Sequence, residues 1–141
     1  MAVYRCAGCG AVNRSQPDSG PPQACYRCRR PLDTSGRPQA VDAAALVTTI
    51  RCSPAPVLVD FAARDLAAPA LDGLAAARAG ELVVLRVDPG EEPAAAQAYA
   101  IRFTPTLVLF QGGSEVARRC DAPGPIDMHA WVEQASSARA P

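Results

Sequence analysis

Val57-Leu58-Val59-Asp60-Phe61-Ala62-Ala63-Arg64-Asp65-Leu66-Ala67-Ala68-Pro69 is the stretch whose reading decides the fold. Val57 to Val59 is a short apolar, largely β-branched run, closed by a single acid, Asp60. Phe61 follows, and then an Ala- and Leu-rich run of helical character. These residues read as a buried strand running directly into a helix. The stretch holds no cysteine, and none occurs between Cys52 and Cys120.

The rest of the chain, at 141 residues, suffices for one compact domain with a sizeable core and a small appendage. Aromatics make up only 5% of the residues against 49% apolar overall, so the core must be chiefly aliphatic. All fourteen basic residues are Arg. With the Ala, Pro and Gly load, this reads as coding bias in a GC-rich genome rather than selection for a site. No run approaches the roughly 18 apolar residues of a membrane span, so no membrane partner is expected. The opening MAVYRCAGCG lacks the apolar region of an export signal, which predicts a cytoplasmic location. Six cysteines in such a chain point to metal binding or redox chemistry, not to a disulfide scaffold.

Charge is unevenly placed. Residues 1–38 carry six arginines against two aspartates, a net +4, and the remainder eight against twelve acids, a net −4. Composition also changes near Arg37, from Cys/Pro/Gly-rich to Ala/Val/Leu-rich. The expected division is a ribbon over residues 1–36 and an α/β domain over 37–141. The final Ser-Ser-Ala-Arg-Ala-Pro is expected to fray.

In the first segment, Cys6-Ala-Gly-Cys9 and Cys25-Tyr-Arg-Cys28 are separated by fifteen residues. Each C-x-x-C turn can place two thiolates on one ion, and two turns close a tetrahedral site. The spacing is that of a zinc ribbon, with Zn²⁺ the expected ion and iron a substitute in an all-thiolate site. Gly10 suits the tight turn after Cys9, since Gly tolerates positive φ, and Arg29 occupies the matching place in the second turn. The competing reading, two redox-active pairs, requires helices that Gly20-Pro21-Pro22 and Pro31 oppose. The segment has too little apolar surface to fold alone, so the metal should supply its folding energy, with the α/β core separate from it. Four thiolates on a divalent ion contribute −2, leaving about +2 on the segment. With only Tyr4 and Tyr26 as stacking platforms, its arginines read as a solvated face rather than a nucleic-acid surface.

The Val59-Asp60-Phe61 strand end and the Ala68-Pro69 pair resemble the thioredoxin family. There a Trp-Cys-Gly-Pro-Cys turn joins the two elements and carries the chemistry. Here seven residues separate Phe61 from Pro69, about five fewer than that family leaves, and Ala62 stands in place of the Trp. With the paired C-x-x-C pattern and Asn13-Arg14 between, essentially the whole chain is similar to the zinc-ribbon-bearing bacterial thioredoxin 2 type. The resemblance implies metal ligands Cys6, Cys9, Cys25 and Cys28. Thr104-Pro105-Thr106 matches the second family motif, which implies a cis-proline and a peptide-binding groove floored by Thr104 and Pro105. Asp60 matches the family's buried acid, there linked to proton transfer at a cysteine. In this chain it reads as a relic; the rival reading recruits it into a network with Arg64 or Arg86.

The remaining elements suit a thioredoxin fold, a mixed sheet with helices on both faces. Expected are a strand over 37–41, a helix from its N-cap Asp42 to Ile50, and a helix over 65–79 presenting Leu66, Ala70 and Leu74. A strand over 82–87, a helix over 93–99, a hairpin of 106–110 with 115–119, and a helix over 126–135 follow. Cys52 and Cys120 should lie at opposite ends of the sheet, too far apart for a disulfide. Cys120 follows Arg118 and Arg119, which favour a thiolate, yet it reads as a small hydrophobe; His129 reads as surface decoration. The function expected is that of a redox-inactive, thioredoxin-like protein binding a polypeptide partner. The alternative is a thiol–disulfide oxidoreductase using Cys120. Partner identity and oligomeric state are open.

Overall fold

The computed structural model describes residues 1–16, 18–63 and 68–137. Two strands, β1 (Ala2–Arg5) and β2 (Val12–Ser15), form an antiparallel hairpin. The main sheet has five strands: β3 (Gln39–Ala40), β4 (Val57–Phe61), β5 (Val83–Val87), β6 (Thr106–Gln111) and β7 (Ser114–Arg119). Their spatial order is β3-β5-β4-β6-β7. β3 and β4 run parallel to β5, while β6 is antiparallel to both β4 and β7. Helices α1 (Ala43–Cys52), α2 (Pro69–Ala77), α3 (Pro93–Ala98) and α4 (Pro125–Ser137) cover its faces.

All five β4 side chains are buried, as a central strand covered on both faces requires. Val57, Val59 and Phe61 pack with Leu46 and Ile50 of α1 and Ala95 of α3. On the opposite face, Leu58 packs with Leu71 and Leu74 of α2 and with Met128 and Val132 of α4. Each fully buried side chain of this size contributes about 1.5–3 kcal/mol. The expected thioredoxin fold is therefore present, with corrections at element ends.

The strand expected over 37–41 is reduced to Gln39–Ala40, because Pro38 has no N–H to donate; Val41 N–H still reaches Arg86 O at 3.0 Å. Asp42 caps α1 as expected, its Oδ1 accepting from Ala45 N–H at 2.8 Å. α2 begins at Pro69, where the missing N–H costs nothing. Its buried stripe is Leu71, Leu74 and Ala75; of the expected Leu66, Ala70 and Leu74, Leu74 is buried, Ala70 packs at the edge of the core, and Leu66 lies outside the described residues. The expected start at Asp65 and the Arg64-Asp65-Leu66 turn lie outside the described residues. The β6–β7 turn runs through Gly112 and Gly113, both at positive φ, the backbone a two-residue hairpin turn demands.

The ribbon does not have the detached core that its composition suggested. Val3, 3% exposed, belongs to the α1/β4/β5 core, and its N–H donates to Gly80 O at 2.8 Å. Gly80 sits at φ +87, and a Cβ there would meet Tyr4 Oη at 2.9 Å, so the contact depends on glycine twice over. A smaller cluster of Cys6, Ala11, Cys25 and Leu32 lies inside the ribbon itself. A four-residue strand, Ala-Val-Tyr-Arg, is too short to carry a periodic signal, which is why this docking was not legible beforehand. Val3→Ala should destabilise the α/β core by about 2 kcal/mol through the cavity it leaves. Denaturant unfolding followed by Trp131 fluorescence, far from Val3 on the α2/α4 face, checks this. An unchanged midpoint would mean that the contact contributes nothing.

Candidate metal centre and peptide groove

The two C-x-x-C turns bring four sulfurs together. The Sγ atoms of Cys6, Cys9, Cys25 and Cys28 all lie within 4.8 Å of one another. Cys6–Cys28 and Cys9–Cys25 are separated by 3.7 and 3.6 Å. A tetrahedral ion with bonds of about 2.3 Å places its sulfurs about 3.8 Å apart, so the donor set fits such an ion in kind and in spacing. The turns are built alike. Gly10 N–H donates to Cys6 O and Arg29 N–H to Cys25 O, with Gly10 at φ +80 and Arg29 at φ +67. Arg29 thus adopts the left-handed backbone that its place in the turn requires.

Asn13, 3% exposed, ties the turns to each other. Its Oδ1 accepts from Tyr26 N–H at 3.0 Å, while Nδ2 donates to Ala11 O at 3.3 Å and reaches Cys25 Sγ at 3.6 Å. Sequence reading noted Asn13 only as part of a pattern; a polar residue on the inward side of a strand was the available signal. The Cys25 thiol is drawn down to about 6 by N–H donation from Cys28, then from Asn13 and Arg27. At Cys9 the Ala11 N–H pulls down, but burial and the three other sulfurs push the thiol up to about 11. Tyr4 is held against Gly80 and only Tyr26, 63% exposed, stands free to stack.

A second site lies at the C-terminal end of β4. The Thr104–Pro105 peptide bond is cis. Pro105 borders a pocket of about 290 Å³ whose walls include Pro69 and Leu71 of α2, Leu107 of β6 and Met128 of α4. Ala62 and Asp60 also line it. Arg118 positions the segment leading to Pro105, with Nη2 donating to Tyr99 O at 2.6 Å and Nη1 to Ala100 O at 3.1 Å. Glu115 holds the same guanidinium through Nε and Nη2, each at 2.9 Å. Phe103, two residues before Pro105, is 67% exposed.

Asp60 is buried, and its parallel cross-strand neighbour is Arg86. The Arg86 Nε–Asp60 Oδ2 separation is 3.7 Å, an ion pair longer than a hydrogen bond. Burial raises the Asp60 pKa, Arg86 opposes it, and Asp72 adds to the rise. Arg86 therefore lies where a network would need it; Arg64 is outside the described residues. Cys52 ends α1 before β4 begins, whereas Cys120 follows β7, whose last residue Arg119 pairs with Leu107 at the cis-proline end. The length of β4 alone, about 13 Å, separates the two. Both are exposed, and His129 joins no ligand cluster among the described residues.

The thioredoxin family profile matches residues 39–134. The chain belongs to the thioredoxin family. Residues 1–38, with the four-sulfur cluster, precede that match. Thioredoxin 1 of Nostoc sp. is 41% identical over 69 residues, covering 45% of this chain and 64% of that protein. Thioredoxin of Mycobacterium tuberculosis is 36% identical over 86 residues, covering 57% and 74%. A thioredoxin variant from Halobacterium salinarum superposes with TM-score 0.63 at 26% identity, covering 73% of this chain and 94% of that one. Malassezia sympodialis thioredoxin gives 0.62 at 24%, covering 74% and 96%.

In this thioredoxin-family chain the acid at the end of β4 bears a cost. A raised native pKa stabilises the fold only at low pH, and that contribution is lost as pH rises through the native value. Asp60→Asn removes this dependence. Its stability relative to wild type should rise from about pH 4 to about pH 8, reaching about 1 kcal/mol in its favour. Thermal melts across that range test it. A variant that is less stable than wild type at every pH would show that Asp60 has been taken into a network that stabilises the fold.

Proposed function

We propose that the protein is a redox-inactive, zinc-stabilised member of the thioredoxin family that captures an extended polypeptide segment along Thr104–Pro105. The observation that carries this is the pairing of a groove with the absence of a dithiol. Pro105 and its apolar pocket stand at the end of β4, but the β4–α2 connection contains no cysteine. A disulfide reductase needs a thiol to attack and a second to resolve the mixed disulfide. Cys52 and Cys120 flank opposite ends of the sheet, so neither resolves the other.

A bound segment would pair its main chain with Thr104 and lay an apolar side chain between Pro105, Leu71 and Met128. In this reading residues 1–36 form the ribbon, and residues 37–141 the binding domain, in a cytoplasmic protein. Cys6, Cys9, Cys25 and Cys28 hold one Zn²⁺, which closes the ribbon and leaves no coordination position for substrate. The oxidoreductase alternative rests on Cys120, exposed beside two arginines. Both are already engaged: Arg119 with Asp121 at 2.6 and 2.7 Å and over the Trp131 ring, Arg118 with Glu115 and Tyr99.

Insulin reduction by dithiothreitol should proceed at the same rate with and without the protein. A faster rate that disappears in Cys120→Ser would establish the monothiol route instead. Binding is read separately, by nuclear magnetic resonance titration with unstructured peptides. Shifts should centre on Thr104, Leu107 and Met128, and their absence would remove the groove reading. Metal analysis after chelator-free purification should give one zinc per chain; less than half an equivalent would count against the zinc site.

A further inference from the structure

Arg5 stands where the ribbon meets the sheet, immediately before Cys6. It is only 9% exposed, and among the described residues no salt bridge reaches it. Its direct partners are neutral. Nε donates to Thr49 Oγ1 of α1 at 2.9 Å, and Nη1 donates to Gln39 Oε1 of β3 at 2.5 Å. Gln39 Nε2 returns a bond to Arg5 O at 2.8 Å. Thr49, itself 1% exposed, spends its own proton on Ala45 O. The remaining nitrogen, Nη2, lies under the first metal turn, 3.2 Å from where a Cβ on Gly10 would stand. The negative groups acting on Arg5 are Cys6, Asp42 and Cys9.

A guanidinium buried among dipoles, with no carboxylate in contact, is costly unless some other charge compensates it. Four thiolates around a divalent ion carry a net −2, and two of those sulfurs, Cys6 and Cys9, act on Arg5 together with Asp42. We propose that Arg5 is the counter-cation of the metal centre, and that it joins metal occupancy to the docking of β1 on α1 and β3 as one cooperative event. With the ion bound, the negative cluster stabilises the buried cation, and the cation's fork holds Thr49 and Gln39. With the ion gone, nothing cross-links the two turns, and the first turn, with Cys6 and Gly10, is no longer held over the guanidinium. The cation is then driven toward water, and Val3, two residues away in the same strand, leaves the core with it. Metal loss is thus transmitted to the α/β domain instead of ending at the ribbon.

This inference rests on the zinc reading of the four-cysteine cluster, and the test separates the two. Zinc affinity is measured by competition with a chromophoric chelator for wild type, Arg5→Met and Arg5→Lys. Thermal unfolding is followed at Trp131, on the far face of the sheet, for each protein with zinc and after chelation. Arg5→Met should bind zinc about tenfold more weakly, because an interaction between two sites is reciprocal. Arg5→Lys, which keeps the charge and loses the fork, should stay within about threefold of wild type. Chelation should lower the Trp131 melting temperature of wild type, and by less than half as much in Arg5→Met. If Arg5→Met does not fold, Arg5→Lys must still show a zinc-dependent melt. Equal zinc affinity in all three proteins, or a wild-type Trp131 melt indifferent to zinc, would overturn the coupling. Failure of every protein to bind zinc would overturn the metal site itself.

Discussion

Burial of β4 on both faces is the constraint from which the rest of the architecture follows. Five consecutive inward side chains cannot be satisfied by one layer of helices, so α1 and α3 cover Val57, Val59 and Phe61 while α2 and α4 cover Leu58. The strand also fixes its neighbours' directions. β5 runs parallel to it and needs a crossover, which α2 supplies; β6 runs antiparallel and returns through a tight hairpin to β7. Asp60 is the exception in this apolar run. Its position across from Arg86 explains how a carboxyl is tolerated there, and the 3.7 Å separation explains why the toleration is incomplete.

The groove inherits its position from the same strand. Because β4 ends beside Pro105, the space beyond Asp60 and Ala62 is walled by α2, β6, α4 and the Asp121–Pro123 connection. Arg118 adds a second restraint by holding the Tyr99 and Ala100 carbonyls, and Tyr99 is packed edge-on to Phe110 with ring centroids 5.4 Å apart. If the groove captures a segment as proposed, such anchoring lowers the entropic cost of capture. Under the proposed reading the groove serves recognition, with Cys120 exposed at the same end of the sheet.

The ribbon shows how a small segment with little apolar surface can still matter to the larger one. Its own cluster is held by four sulfurs, Ala11 and Leu32, but Val3 and Arg5 on β1 reach out of it in two different ways. Val3 contributes apolar burial to the α1 face. Arg5 contributes a charge that neither Thr49 nor Gln39 can neutralise. Both sit on one strand, so under the proposed coupling what displaces Arg5 displaces Val3 with it.

Much of this was determined by the sequence alone. The Val57–Phe61 run, the Asp42 cap, the Gly112-Gly113 turn and the paired C-x-x-C spacing are local signals, set by burial, backbone permissiveness and ligand geometry within a few residues. Each keeps its meaning wherever the chain goes. The start of β3 was decided by Pro38, which has no N–H to give the sheet. Only the tertiary structure could decide the rest. Val3 gives no periodic pattern, Asn13 is one polar residue among many, and Arg5 is one of fourteen arginines. Their roles come from partners 13 to 77 positions away, Tyr26, Thr49 and Gly80. Solvation makes an arginine cheap on the surface and costly in the interior, and which of the two Arg5 would be depended on where β1 came to rest.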